Sequence, residues 1–173
     1  MTKIIPIIIA GALASQAFAQ TPAQQADSFY QQGQAAEKSG DPLAAKSFYN
    51  KALKADPNNA NARYSIGQLK LTSGGIAAQG REAKFGAVLI PAFQLDGASF
   101  QEALDALSIT MEKQAKDAVT PNFVVEDPKG QFAATKITLN LKNMPSKAVM
   151  KYLLDQANAK ARYDEHAVVI SPR

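Results

Sequence analysis

The stretch Lys136–Leu154, KITLNLKNMPSKAVMKYLL, decides how the second half of this chain is read. Its first residues alternate. Ile137, Leu139 and Leu141 fall on one side and Lys136, Thr138, Asn140 and Lys142 on the other, the period of a half-buried strand. Asn143-Met144-Pro145 breaks that alternation, and Val149, Met150, Leu153 and Leu154 then recur at helical spacing. A looser copy lies upstream, in FQLDGASFQEALDAL from Phe93 to Leu107, where VLIPAFQL is the strand candidate. There a strand reaches a turn at Asp96-Gly97, and Ser99 with Glu102 forms a capping box. Phe100, Ala103, Leu104, Leu107 and Met111 mark the apolar face of a helix expected to run to about Ala118.

The two copies can be set in register. Leu95 then falls on Leu141, 46 positions later, Ser99 on Pro145, Ala103 and Leu104 on Val149 and Met150, and Leu107 on Leu153. NFVVED after Pro121 reads as a short strand and PKGQFAAT as a loop, while KARYD and HAVVISP read as a hairpin turning at Asp164-Glu165. Residues 88–173 are therefore expected to form an α+β domain of two units, in the order βαβ then βαββ. Both helices would pack on one small sheet, each unit covering apolar surface that the other would expose. The closing strand HAVVISPR, poor in charge, reads as an open edge, and KITLNLK, with lysine at both ends, as a guarded one.

These residues carry a family likeness. TKITLNLKNMPSKAVMKYLLDQANAKARYDEHAVVISP resembles the second half of the secretin and TonB N-terminus short domain, through Leu139, Leu141, Pro145, Val149, Leu153, Leu154, Tyr163, Val168 and Ile170. FQLDGASFQEALDALS and PNFVVEDP are similar to its first half. The resemblance covers about half the chain and lies in packing positions, so it specifies fold better than function. It implies a periplasmic module making protein-protein contacts, in secretins or in TonB-dependent transducers. With the chain ending at Arg173, a contact role is expected rather than a pore.

The first half differs in texture. From Ala23 to Thr72 the chain is rich in Ala, Gln and Lys, broken at Gly40-Asp41 and at Asp56-Pro57-Asn58. Gly40 fits a helix end, and Asp41 caps the next helix with Pro42 at its first position. About three helices are expected over 22–73. Counted from Ala26, small or aromatic residues fall at Phe29, Gly33, Ala45, Tyr49 and Ala52, with Pro57 closing the series. NNANARYSIGQL then restarts it, with Gly67 repeating Gly33. This resembles the tetratricopeptide repeat, which pairs antiparallel helices with a period of about 34 residues. Ala36, Arg63 and Lys70 depart from it, standing where the family prefers aromatic residues. One full repeat and a half needs something else to lean on, because such units share a continuous core. The resemblance implies a ligand face carrying Asp27, Tyr30, Gln34, Asn61, Tyr64 and Gln68. Residues 74–87, SGGIAAQGREAKFGA with the preceding serine, are expected to be a glycine-rich linker, with a short helix around 76–85 as one option.

Composition bounds the rest. Hydrophobic residues are 46% and charged residues 20% of the chain, a globular balance. A net charge of +4 without a basic run argues against nucleic acid. MTKIIPIIIAGALASQAFAQ has the layout of a secretory signal cleaved after Ala19, which implies export to the periplasm with no later membrane span. Cysteine is absent, which excludes a lipoprotein anchor, disulfides and thiolate metal sites. His166 has no assignable nucleophile and carboxylate partners, and the acidic pairs Glu126-Asp127 and Asp164-Glu165 read as turn residues. No catalytic residue, cofactor site or metal ligand is assigned, and an enzyme is not expected. The expected partners are other envelope proteins, among them a secretin or pilus component, or a second copy of the chain. Two alternatives stay open: a signalling partner of TonB-dependent transport, and a glycan or small-ligand binder stacking on Tyr30, Tyr49, Tyr64, Tyr152 and Tyr163.

Overall fold

The computed structural model describes residues 20–116 and 119–173. The signal sequence falls outside the described residues, as does the expected helix end at Ala118. Three helices come first: Pro22–Lys38 (α1), Pro42–Ala55 (α2) and Ala60–Ala87 (α3). Each start has its cap. Thr21 and Gln24 form a capping box, the Asp41 carboxylate accepts from the Ala44 amide at 2.9 Å, and Asn59 accepts from Ala62 at 2.9 Å. Gly40, at a φ of 76°, ends α1 in a Schellman turn, its amide bonding to Glu37 and that of Asp41 to Ala36.

The helices meet through small residues. Gly33 lies against the ring of Tyr49, where a Cβ would collide with it. Ala26, Ala36, Ala45, Tyr49, Ala52, Ala62 and Leu69 form the buried core of this half. Arg63 does not anchor there; its guanidinium donates to the Pro57 carbonyl at 2.7 Å.

The expected linker is a correction. Residues 74–87 are helical, the continuation of α3, with no break at Gly74-Gly75 and no separate helix at 76–85. Glycine weakens a helix interior by about 1 kcal/mol, but tertiary packing decides here. Ile76 packs on the first core, Gly80 sits on the backbone of Gly40, and Phe85 enters the core of the second half.

The second half runs strand Leu89–Ser99 (β1), helix Phe100–Ala115 (α4), strand Phe123–Val125 (β2), strand Lys136–Pro145 (β3), helix Ser146–Gln156 (α5), strand Ala159–Tyr163 (β4) and strand Val168–Pro172 (β5). The molecule is thus mixed α+β, with helices first and sheet after. Ser99 and Pro145 are both N-cap residues, 46 positions apart, as the internal register requires. β1 and β3 pair antiparallel, Phe93 with Leu141, Gln94 with Asn140 and Leu95 with Leu139. Gln94 therefore pairs with its own repeat equivalent, which places a local pseudo-twofold axis through that pair.

The described residues form two sheets rather than one. β1 and β3 form a two-stranded ribbon, while β2, β5 and β4 form a second sheet in that order. The open-edge reading of HAVVISPR is corrected with it: β5 is central, parallel to β2 and antiparallel to β4. Its consecutive buried residues Val168, Val169 and Ile170 suit a strand covered on both faces. α4 buries Phe100, Ala103, Leu104, Leu107 and Met111, and α5 buries Val149, Met150 and Leu153, all of them in one shared core. The PKGQFAAT loop is held by Asp127, whose carboxylate accepts from the amides of Gln131 and Phe132 at 2.8 Å, seating Phe132 4.7 Å from the Phe100 ring.

The boundary at Val88 cuts through packing. Phe85 lies edge-on to Phe123 and Tyr163, at 6.1 and 5.6 Å. Ser146, the one buried polar residue among those described, donates its hydroxyl to the Phe85 carbonyl and its amide to the Val88 carbonyl at 2.8 Å. Burial pushes the Tyr163 hydroxyl up to about 12, with Glu82 nearby adding to it.

Candidate functional site

The six residues on the expected ligand face lie on α1 and α3. Asp27, Tyr30 and Gln34 occupy one stripe of α1, and Asn61, Tyr64 and Gln68 the repeat-equivalent stripe of α3. α1 touches α3, so the two stripes belong to adjacent helices. Five of the six are exposed; Tyr30 is half-buried.

Tyr30 is committed to the fold. Its ring lies 5.6 Å from that of Tyr49, and its hydroxyl accepts from the Gln34 amide nitrogen at 3.0 Å. Tyr49 in turn donates its hydroxyl to Glu37 at 2.7 Å. Burial, helped by that carboxylate, raises the Tyr49 pKa and keeps the donor protonated. The chain Gln34–Tyr30–Tyr49–Glu37 thus braces the α1–α2 pair. No hydrogen bond among the described residues joins the α1 stripe to the α3 stripe.

Tyr64 is different, being 68% exposed. Beside it on α3, Leu71 is 82% exposed, and Gly67 meets nothing within 4 Å of a built Cβ. In the first repeat the equivalent Gly33 is covered by Tyr49 of α2. In the second, α3 continues as one helix to Ala87, and among the described residues no following helix returns over Gly67. Leu71 was missed in the sequence reading, although the repeat count held the signal: half a repeat leaves one helix without its partner.

The tyrosines proposed as stacking faces divide the same way. Tyr49 is fully buried, Tyr30 packs on it and Tyr163 packs on Phe85, which leaves Tyr64 and Tyr152 exposed. His166 has an 85% exposed side chain with Glu165 3.8 Å away, in the turn before β5. Among the described residues no group of three or more His, Cys, Asp or Glu could hold a metal ion. Nor is any described helix long and apolar enough to cross a membrane.

Residues 26–59, which run from Ala26 of α1 through α2 and the turn after it, match the tetratricopeptide repeat family. The match begins at Ala26, the residue from which the repeat register counts. Such repeats are protein-protein interaction modules, and their presence points to protein partners for this chain. No curated protein and no solved structure matches it.

Proposed function

We propose that this protein is an exported, periplasmic, non-enzymatic adaptor that binds other envelope proteins, as an accessory subunit of a secretin-type machine in type II secretion or a type IV pilus. The observation that carries the binding role is the uncovered face of α3, where Tyr64, Gly67 and Leu71 stand side by side on the repeat helix that lacks a following partner. Large apolar side chains gathered on one exposed face mark interaction sites. Export is supported by the charged start, apolar run and Ala17-Phe18-Ala19 of the leader. The secretin connection is supported by the resemblance of Val88–Arg173 to the secretin and TonB N-terminus short domain.

The test is recovery of partners from envelope extract by full-length protein and by a Tyr64→Ala, Leu71→Ser variant. Both side chains are exposed, so the variant keeps its fold, and it should retrieve its partners with about tenfold lower yield. Equal recovery would remove this face from the binding role. Mass spectrometry of the exported protein should find Gln20 at the N-terminus; an intact Met1 would refute the periplasmic assignment.

A further inference from the structure

A second surface lies between α5 and β4. Among the described residues β4 is hydrogen-bonded on one side only, to β5, and its other side is a sheet edge. Beside that edge runs a groove of about 530 Å³. Its floor is apolar, made by Met150 and Leu154 of α5 with Ala161 and Tyr163 of β4. The alanine on the strand leaves the room that a larger residue would fill. Its rim is basic: Lys147, Lys151, Lys160 and Arg173 surround it.

The charges do not cancel. Lys151 and Arg173 share one carboxylate, Asp155, at 2.6 and 2.8 Å. Lys147 pairs with Glu82 of α3 at 2.7 Å. Lys160 has no ion-pair partner among the described residues. The sheet's opposite edge, β2, is only three residues long and offers little to pair with.

We infer that this groove is a docking site for an extended, acidic and apolar peptide segment of a partner protein, which adds as a strand to β4. Deepening the adaptor reading, it rests on that reading and states the chemistry of one partner. Strand addition uses the free backbone groups of an edge for affinity and a side-chain groove for specificity. The incoming strand sets alternate apolar side chains into the floor beside Leu154 and Ala161, and its acidic residues meet the basic rim. A second copy of β4 is a poor occupant, because its sequence AKARY brings two basic residues and no acidic one to a groove that is already basic.

The experiment pans full-length protein against a phage-displayed library of short random linear peptides. It counts the binders and measures their affinity for wild type and for a Lys151→Glu, Lys160→Glu variant. Both lysines are exposed, so the variant folds, which circular dichroism verifies. The expected binders alternate apolar with acidic residues and lose about tenfold in affinity for the variant. They also slow hydrogen exchange at the β4 amides that do not bond to β5. Binders without acidic residues, equal affinity for the variant, unprotected β4 amides, or no binders would each overturn the proposal. In any of those cases, partner recovery that still depends on Tyr64 and Leu71 would leave the adaptor reading standing and remove the groove alone.

Discussion

Two glycines at the same repeat position have opposite surroundings, and their replacement separates packing from propensity. At Gly33 a Cβ would run into the Tyr49 ring, which is fully buried and tethered through its hydroxyl to Glu37. Gly33→Ala should therefore lower stability by about 1–3 kcal/mol, the range of overpacking in a core. At Gly67 the same change meets open space, and helix propensity alone predicts a gain of up to about 1 kcal/mol. Urea unfolding of the two variants checks this, and equal losses would disprove the difference. Glu102 gives a pH test. Its carboxylate accepts from the amide and hydroxyl of Ser99 at 2.7 and 2.8 Å, and those bonds lower its pKa below the ordinary 4.5. A depressed carboxylate contributes stability that is present above its unfolded pKa and is lost as pH falls through the folded one. The melting-temperature gap between wild type and Glu102→Gln should be constant from neutral pH down to about 4.5 and shrink below it. A gap that widens in acid would contradict the capping assignment.

Among the elements, α3 is the one that belongs to two cores. Its first turns close the helical pair through Ala62 and Leu69, and its last turn delivers Phe85 against Phe123 and Tyr163. A fragment beginning at Val88 exposes the pocket that Phe85 fills and removes the carbonyl that accepts from Ser146. A fragment beginning at Gly80 keeps both. The longer fragment should be the more stable by about 3–5 kcal/mol, the cost of deleting a buried phenylalanine. Thermal melts of the two fragments decide it, and equal midpoints would mean that Val88–Arg173 closes its core unaided.

For the whole molecule, the shared helix predicts coupled unfolding. Proline at Gly75 would break α3 between Leu69 of the first core and Phe85 of the second, at a cost of about 3 kcal/mol or more. Amide hydrogen exchange in the wild type should show α1 and α2 opening together with the second half. In Gly75→Pro the helical pair should open on its own at lower denaturant concentration. One cooperative transition in the variant would show that contacts beyond the continuous α3 backbone still join the halves, such as Gly80 against the backbone of Gly40.

The sequence by itself determined the local structure, because each of those features rests on neighbours in the chain. Period-two alternation placed β3, helical spacing placed α4 and α5, and the caps at Asp41 and Ser99 set helix starts. The repeat register from Ala26 was legible for the same reason, since Gly33, Tyr49 and Pro57 answer to steric demands within one hairpin. What only the tertiary structure decided depends on residues far apart. Whether Gly74-Gly75 bends or stays helical turned on Gly40 and Phe123, which no local window contains. That β5 lies between β2 and β4, and that β4 is therefore the longer free edge of that sheet, follows from which strands find each other across the domain. The exposure of Tyr64 beside the burial of Tyr30 has the same origin: identical repeat positions, one with a helix packed beside it and one without.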